Sequence, residues 1–468
     1  MGTVFCWQNR AFCGPTIYYV CPAFRCAQEK HMAHLKSVLT FPPASPEERR
    51  AALLASQYQA VRQQTDALTA PLTAEDLMVQ SCPEASPGKW HMAHTSWFFE
   101  TFILSQHLAG YQPFHPQFRD LFNSYYNAVG QQPEKALRNT FSRPGLDEVR
   151  KYRAHVDEHM LKLLQSGAVA AEVQKLVTLG LNHEQQHQEL LVTDIKHGFW
   201  SNPLHPAYQA AIATPSTSGG TPQQKPQLYP EGIYEIGAEG ESFYFDNEGS
   251  RHKVFLRPFR FAMRLATCGE YLSFIGDGGY SRPELWLSDG WKAVQTHHWQ
   301  APLYWERSGS HWTQFTCSGM RKVEEAEPVC HVSYYEADAF ARWAGARLPT
   351  EFEWEVAASR VPAVDGNLLE NGRFHPQPAP AAREDGPPLQ LFGDVWEWTA
   401  SAYLAYPGYK PAPGALGEYN GKFMSGQMVL RGGSCATPRS HIRATYRNFF
   451  PPETRWQFSG IRLADDGN

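Results

Sequence analysis

The segment His183-Glu184-Gln185-Gln186-His187-Gln188-Glu189 sits in a stretch of helical period, where Leu176, Gly180, His183, His187, Leu190 and Asp194 fall on one stripe. Histidines four apart lie one turn apart on the same face of a helix. Both imidazoles can therefore reach a single metal ion. Their stripe is the one a packed helix would bury, so the pair points into the protein.

Three readings compete for such a pair. Both histidines can be satisfied core or surface residues with no ligand. The His183-Glu184-x-x-His187 pattern also fits a zinc protease helix with Glu184 as general base, but the extension H-x-x-G-x-x-H is missing and no glutamate follows Glu189 until Glu231. The third reading is a metal site inside a helical bundle, which needs one more histidine from a different helix.

Working outward, Ser45 to about His197 reads as four helices with short connections. Ser45-Pro46-Glu47-Glu48 is a start signal, with a capping serine, proline in the first turn and acids at the positive end of the dipole. A second helix is expected from Ser86-Pro87, with Trp90, His94, Trp97, Phe98 and Phe102 on one stripe; two more are expected over Gly145 to Leu164 and Val169 to Lys196. Bundle cores commonly hold metal sites built from inward-facing side chains. His94 shares its face with Trp90 and Trp97 and is the third candidate ligand, whereas His91 is displaced around the helix and reads as partly exposed. Three neutral histidines would leave open positions on a metal. Iron(II) could use them for substrates and dioxygen, while zinc prefers four ligands; spacing does not choose between the two.

From Ser201 to Pro230 the composition turns to Pro, Ser, Thr, Gly and Gln, the signature of a linker. Beyond it the helical period disappears, short β-like runs alternate with Gly and Pro, and ten of the fourteen tryptophans are found. The organisation expected is a leader over 1–44, disordered or with a misassigned start, a helical domain over 45–200, a linker over 201–230 and an irregular mixed domain over 231–468. The fold class expected is α+β. Across all 468 residues the net charge is −5, which argues against a nucleic-acid partner. No apolar run has the roughly 18 residues a membrane span needs. Cys82, Cys268, Cys317, Cys330 and Cys435 are scattered and odd in number, which suits a reducing cytoplasm.

The motifs together resemble a known family from about Ser45 to Ala464. Lys89-Trp90-His91-Met92-Ala93-His94-Thr95-Ser96-Trp97-Phe98-Phe99-Glu100 followed by the His183–Glu189 segment resembles the DinB-like four-helix domain of the ergothioneine-pathway sulfoxide synthases, the EgtB family. Arg347-Leu348-Pro349-Thr350-Glu351-Phe352-Glu353-Trp354-Glu355, Gly393-Asp394-Val395-Trp396-Glu397-Trp398-Thr399, Leu430-Arg431-Gly432-Gly433-Ser434 and Gly460-Ile461-Arg462-Leu463-Ala464 resemble the formylglycine-generating-enzyme (sulfatase-modifying factor, C-type-lectin-like) fold. Each motif is moderately specific; in this order they are highly specific.

This resemblance implies a non-haem iron(II) enzyme that joins a thiol, cysteine or γ-glutamylcysteine, to C2 of the hercynine imidazole, consuming dioxygen and yielding a sulfoxide. It implies His94, His183 and His187 as iron ligands and Glu189 as a group orienting a ligand imidazole. Reducing dioxygen needs a proton and an electron, and a phenol can deliver both; Leu121-Phe122-Asn123-Ser124-Tyr125-Tyr126-Asn127-Ala128-Val129-Gly130 resembles the tyrosine pair of one branch of the family, which makes Tyr125 and Tyr126 the candidate donors, with Tyr406 and Tyr409 behind them because another branch places its tyrosine in the C-terminal domain. Gln186 is the candidate for the hercynine carboxylate, and Arg447-Asn448-Phe449-Phe450 for its trimethylammonium group, which aromatic faces suit. Phe450 stands where one branch of the family has an acid that meets a ligand amino group, which favours free cysteine over γ-glutamylcysteine. Arg138 and Arg143 are candidates for the thiol substrate's carboxylate. Cys435 stands alone after Arg431-Gly432-Gly433-Ser434, so the second domain reads as a lid and not as an active formylglycine generator. The alternatives are an ovothiol-type enzyme that couples cysteine to C5 of histidine, and a metal- or thiol-binding module without turnover.

Overall fold

The computed structural model describes residues 46–166, 169–212, 225–361, 364–381 and 386–467. The leader and the capping role of Ser45 lie outside the described residues, as does the Pro/Ser/Thr/Gly-rich middle of the linker. Four long helices form the first half: α1 over Pro46–Thr69, α2 over Gly88–Phe99, α3 over Leu146–Leu164 and α4 over Ala171–Ser201. The sequence-based boundaries of the last two hold within a few residues at each end. Helix α2 runs on through a π-helical turn, Glu100–Leu104, a wider winding that often accompanies functional sites. Its carboxylate Glu100 accepts hydrogen bonds from the hydroxyls of Tyr111 and Tyr152.

Helix α4 packs against α1 and α2, and α2 packs against α3. Tyr58, Trp97, Phe98, Phe99, Tyr152, Val177 and Leu181 fill the space between them. Gly180 lets α4 approach α2 closely: a Cβ there would lie 2.6 Å from Cε1 of Phe99. The stripe that bears His183 and His187 is thereby pressed toward the stripe that bears His94.

The second half is built of small sheets joined by loops, beginning with a strand at Gln227–Tyr229. Its largest sheet orders the strands Asn448–Phe450, Met428–Arg431, Trp396–Ala402 and Ser459–Gly460, the last two parallel and the other pairs antiparallel. The motifs have local physical causes. Thr350 caps the helix Glu351–Ala358 and Glu353 bonds back to it, a capping box. Gly393 has φ +80°, and a Cβ on it would sit 2.3 Å from the oxygen of Asn367, so only glycine fits the loop before Trp396. Trp354, Trp396 and Trp398 are fully buried, and Glu397 pairs inside the core with Arg462 at 2.7 Å.

Candidate metal centre and interdomain cavity

His94, His183 and His187 converge so that one ring nitrogen from each lies within 4.8 Å of the others. His94 is held on both sides by its own helix. The Trp90 ring stacks on it at 4.4 Å and the Trp97 ring at 5.2 Å, and its Nδ1 donates to the carbonyl of Phe122 at 2.7 Å. Its Nε2 is then left buried with no hydrogen-bond partner. Nε2 of His183 and Nε2 of His187 stand 3.1 Å apart, the separation of two ligands each about 2.1 Å from a common ion. Burial holds His94 and His187 well below the ordinary imidazole range, and His183 is pushed down to about 3. All three rings are therefore neutral and keep lone pairs. An unpartnered nitrogen beside two others whose lone pairs converge is a donor set fitted to a divalent transition metal.

His91 differs from its sequence reading. It is buried, because its side chain turns toward α4: its Nδ1 lies 2.8 Å from Nδ1 of His187 and its Nε2 lies 3.0 Å from Oδ2 of Asp194. Glu189 departs from its expected role as well. Its carboxylate accepts from Nε1 of Trp396 at 2.7 Å, Oγ of Ser434 at 2.5 Å and Oγ1 of Thr437 at 2.8 Å, so it ties α4 to the lid and orients no ligand ring. Glu184 faces the opposite way. Burial raises its pKa, but the guanidiniums of Arg153 and Arg62 outweigh this and hold it down to about 2. Locked in a buried ionic network, it is no general base, and the protease reading fails on geometry.

His91, His183 and His187 open onto a cavity of about 500 Å³ between the two halves of the molecule. A pocket of this size suits small molecules. Gln186 lines it and donates to Oη of Tyr446 at 2.6 Å. Arg138 lines it too, with its guanidinium 3.4 Å above the Trp90 ring and Nη1 bonded to Ser86; burial lowers its pKa to about 9. Arg143 lies elsewhere, exposed on the bundle near Gly145 and Asp147. Of the tyrosine pair, Tyr125 is on the cavity wall, whereas Tyr126 stacks behind it at 4.7 Å with a buried, unpartnered hydroxyl. Burial raises both phenols above their ordinary range, so both keep their protons. Lys422 from the lid lies 4.7 Å over the Tyr125 ring.

Asn448, Phe449 and Phe450 face the cavity from an edge strand, and the Phe449 ring stacks on Tyr403 at 4.0 Å. Arg447 also touches the cavity, but its guanidinium is spent on Glu351 at 2.8 and 3.0 Å and on the carbonyls of Asn247 and Leu404. Tyr406 donates to Glu351 and Tyr409 to Asp246, and neither lines the cavity. Two other lid phenols do: Tyr446, whose hydroxyl is held by Gln186, and Tyr419, 5.8 Å from the His183 ring and 6.2 Å from Tyr125. No motif surrounds Tyr419, so only the fold reveals it. Five further polar atoms on residues of the wall have no partner: Nε1 of Trp90, Oγ of Ser124, Nδ1 of His183, Oδ1 of Asn247 and Nε2 of Gln457. Cys435 is a buried free thiol.

Residues 57–191 match the DinB superfamily, and residues 214–382 and 388–467 match the sulfatase-modifying factor enzyme 1-like domain. Over 414 residues the chain is 32% identical to the hercynine oxygenase of Mycobacterium tuberculosis, covering 84% of this chain and 93% of that protein. The chain belongs to the hercynine oxygenase family. That makes it an oxidoreductase of the oxygenase class with an α+β architecture, a helical half followed by a mixed half. The hercynine oxygenase of Mycolicibacterium smegmatis is 34% identical over 316 residues, covering 62% of this chain and 71% of that one. The formylglycine-generating enzyme of Streptomyces coelicolor is 28% identical over 305 residues, which cover 55% of this chain and 95% of that enzyme. Among the described residues no helix is long and apolar enough to cross a membrane.

Proposed function

We propose that this protein is a cytoplasmic iron(II)- and dioxygen-dependent sulfoxide synthase that joins free cysteine to C2 of the hercynine imidazole. The helical part is taken as 45–200 and the lid as 231–468, with the linker between. The observation that carries the reading is the convergence of three neutral imidazoles beside an interdomain cavity large enough for two small substrates: His183 and His187 line it, and His94 is buried next to them with a stranded Nε2. His94, His183 and His187 would hold the metal, which when bound supplies open coordination positions and the redox chemistry that joins sulfur to carbon.

The other roles follow from where each side chain stands. Tyr125 holds a proton on Oη at the cavity wall, and Tyr126 packs it from behind. Gln186 is poised over the same wall for the hercynine carboxylate, its amide fixed by Tyr446. Phe449 and Phe450 offer aromatic faces to a quaternary cation, which donates no strong hydrogen bond and is held by cation–π attraction. Arg138 supplies the charge for a thiol substrate's carboxylate. Arg447 supports the Asn448–Phe450 strand through Glu351. Phe450 offers no charge to a second amino group, which supports cysteine over γ-glutamylcysteine.

The test is an anaerobic protein sample reconstituted with iron(II). Dioxygen uptake is expected only when hercynine and a thiol are both present, and mass spectrometry should find the coupled sulfoxide with cysteine ahead of γ-glutamylcysteine. No product with either thiol would reject the reading. Coupling to histidine in preference to hercynine would transfer the protein to the ovothiol-type reaction.

A further inference from the structure

The geometry points to His91 and Asp194 as a two-residue relay that fixes the proton on His187 and sets its strength as a metal ligand. This rests on His187 being a ligand, as proposed above. Proton bookkeeping along the chain allows one arrangement. Nε2 of His187, 3.1 Å from Nε2 of His183, must keep its lone pair to bind a metal, so the proton of the neutral ring sits on Nδ1. That proton faces Nδ1 of His91 at 2.8 Å, which must therefore be bare. The His91 proton is then on Nε2, and it is donated to Oδ2 of Asp194 at 3.0 Å. Asp194 in turn is anchored by the backbone N–H of Ser86 at 2.8 Å.

The arrangement stretches the usual carboxylate–histidine–metal support by one imidazole. Asp194 attracts the proton of His91, which leaves His91 Nδ1 a better acceptor and makes His187 a stronger donor at Nε2. Both members are buried at the edge of the cavity, which weakens competition from water for either bond. His94 and His183 have no such support: His94 donates to a neutral carbonyl, and Nδ1 of His183 has no partner. Of the three, His187 is the one linked to a carboxylate through a chain of hydrogen bonds. His91 and Asp194 are positioning residues; in this relay they act through His187.

The experiment uses the full chain with cobalt(II) alone as the probe, reading affinity by chelator competition and the visible absorption of the bound ion, with folding checked by circular dichroism. His91→Phe is expected to weaken cobalt about 10- to 100-fold, the loss usual for support of this kind. His91→Gln, whose carbonyl can still accept from His187, should recover most of that loss. Asp194→Asn should weaken binding less than His91→Phe and shift the absorption band. Because Asp194 acts through His91, adding Asp194→Asn to His91→Phe should cost nothing further. Parent-like affinity and spectrum in both single variants, or full additivity in the double variant, would overturn the relay. His187→Ala separates the two ideas: if it keeps cobalt, the ligand assignment fails, and if it loses cobalt while the relay variants do not, only the relay fails. Should His91→Phe not fold, the near-isosteric Asp194→Asn decides alone.

Discussion

Both walls of the cavity carry unsatisfied polar atoms, but the guanidinium on the bundle wall, Arg138, bonds to a serine, whereas the one on the lid wall, Arg447, is already neutralised by a carboxylate. On the bundle wall Nε1 of Trp90, Oγ of Ser124 and Nδ1 of His183 have no partner, Nε2 of His94 is stranded beside it, and the guanidinium of Arg138 lies over an indole. The lid pairs Arg447 with Glu351, Arg431 with Glu355, Arg443 with Glu248 and Arg462 with Glu397, and turns aromatic rings and amides toward the cavity. A buried polar group without a partner costs about 1–3 kcal/mol, so a fold tolerates several together only where a ligand completes them. On the function proposed above this is a division of labour, in which the bundle would supply the reactive groups and the lid the shape and the cation recognition. Two carboxylates of one heptapeptide mark the boundary, since Glu184 binds the bundle to itself and Glu189 binds it to the lid.

The comparison breaks most directly at the metal. His183→Ala or His187→Ala should lower metal affinity by more than the roughly 100-fold that loss of a supporting residue alone can cause, with product formation lost in parallel; metal stoichiometry measured beside turnover checks this. Next comes the proton. Tyr125→Phe should slow sulfoxide formation by about 10²–10⁴ and divert thiol to uncoupled oxidation, while the lid phenol change Tyr419→Phe should cost less than about tenfold. The reverse order, read from product ratios, would move acid chemistry to the lid. Arg138→Ala should raise the thiol KM about 10- to 100-fold, the worth of a charged hydrogen bond, whereas Arg143→Ala, outside the cavity, should leave it within about twofold. The smallest effect belongs to the lid's aromatic face. Phe449→Ala should raise the hercynine KM about 2- to 30-fold with little change in kcat, as expected for a cation–π contact of about 0.5–2 kcal/mol.

Much of this was legible in the chain. The period around His183 and His187 and the indoles flanking His94 are local signals, and local structure obeyed them. What sequence reasoning missed shares one property: its meaning depends on a partner far along the chain. His91 looked peripheral because helical periodicity measures distance from its own stripe, and the closeness of α4 was not in that count. Glu189 looked like a metal-site accessory because its neighbours in sequence are ligands, yet its partners are Trp396, Ser434 and Thr437. Tyr406 and Tyr409 were reasonable phenols on the right domain, but one loop conformation sends them to Glu351 and Asp246 and brings Tyr419 to the cavity instead.

Sequence alone therefore determined the residue types, the helical faces and the capped and glycine-bearing turns, because each follows from interactions within a few residues of backbone. The tertiary structure decided which nitrogen of each imidazole is stranded, which charges are already neutralised and which tyrosine reaches the cavity. Those are properties of pairs brought together by the close packing of α4 on α2 and the seating of the lid on α4, and a hydrogen bond is defined by a distance that no linear spacing encodes.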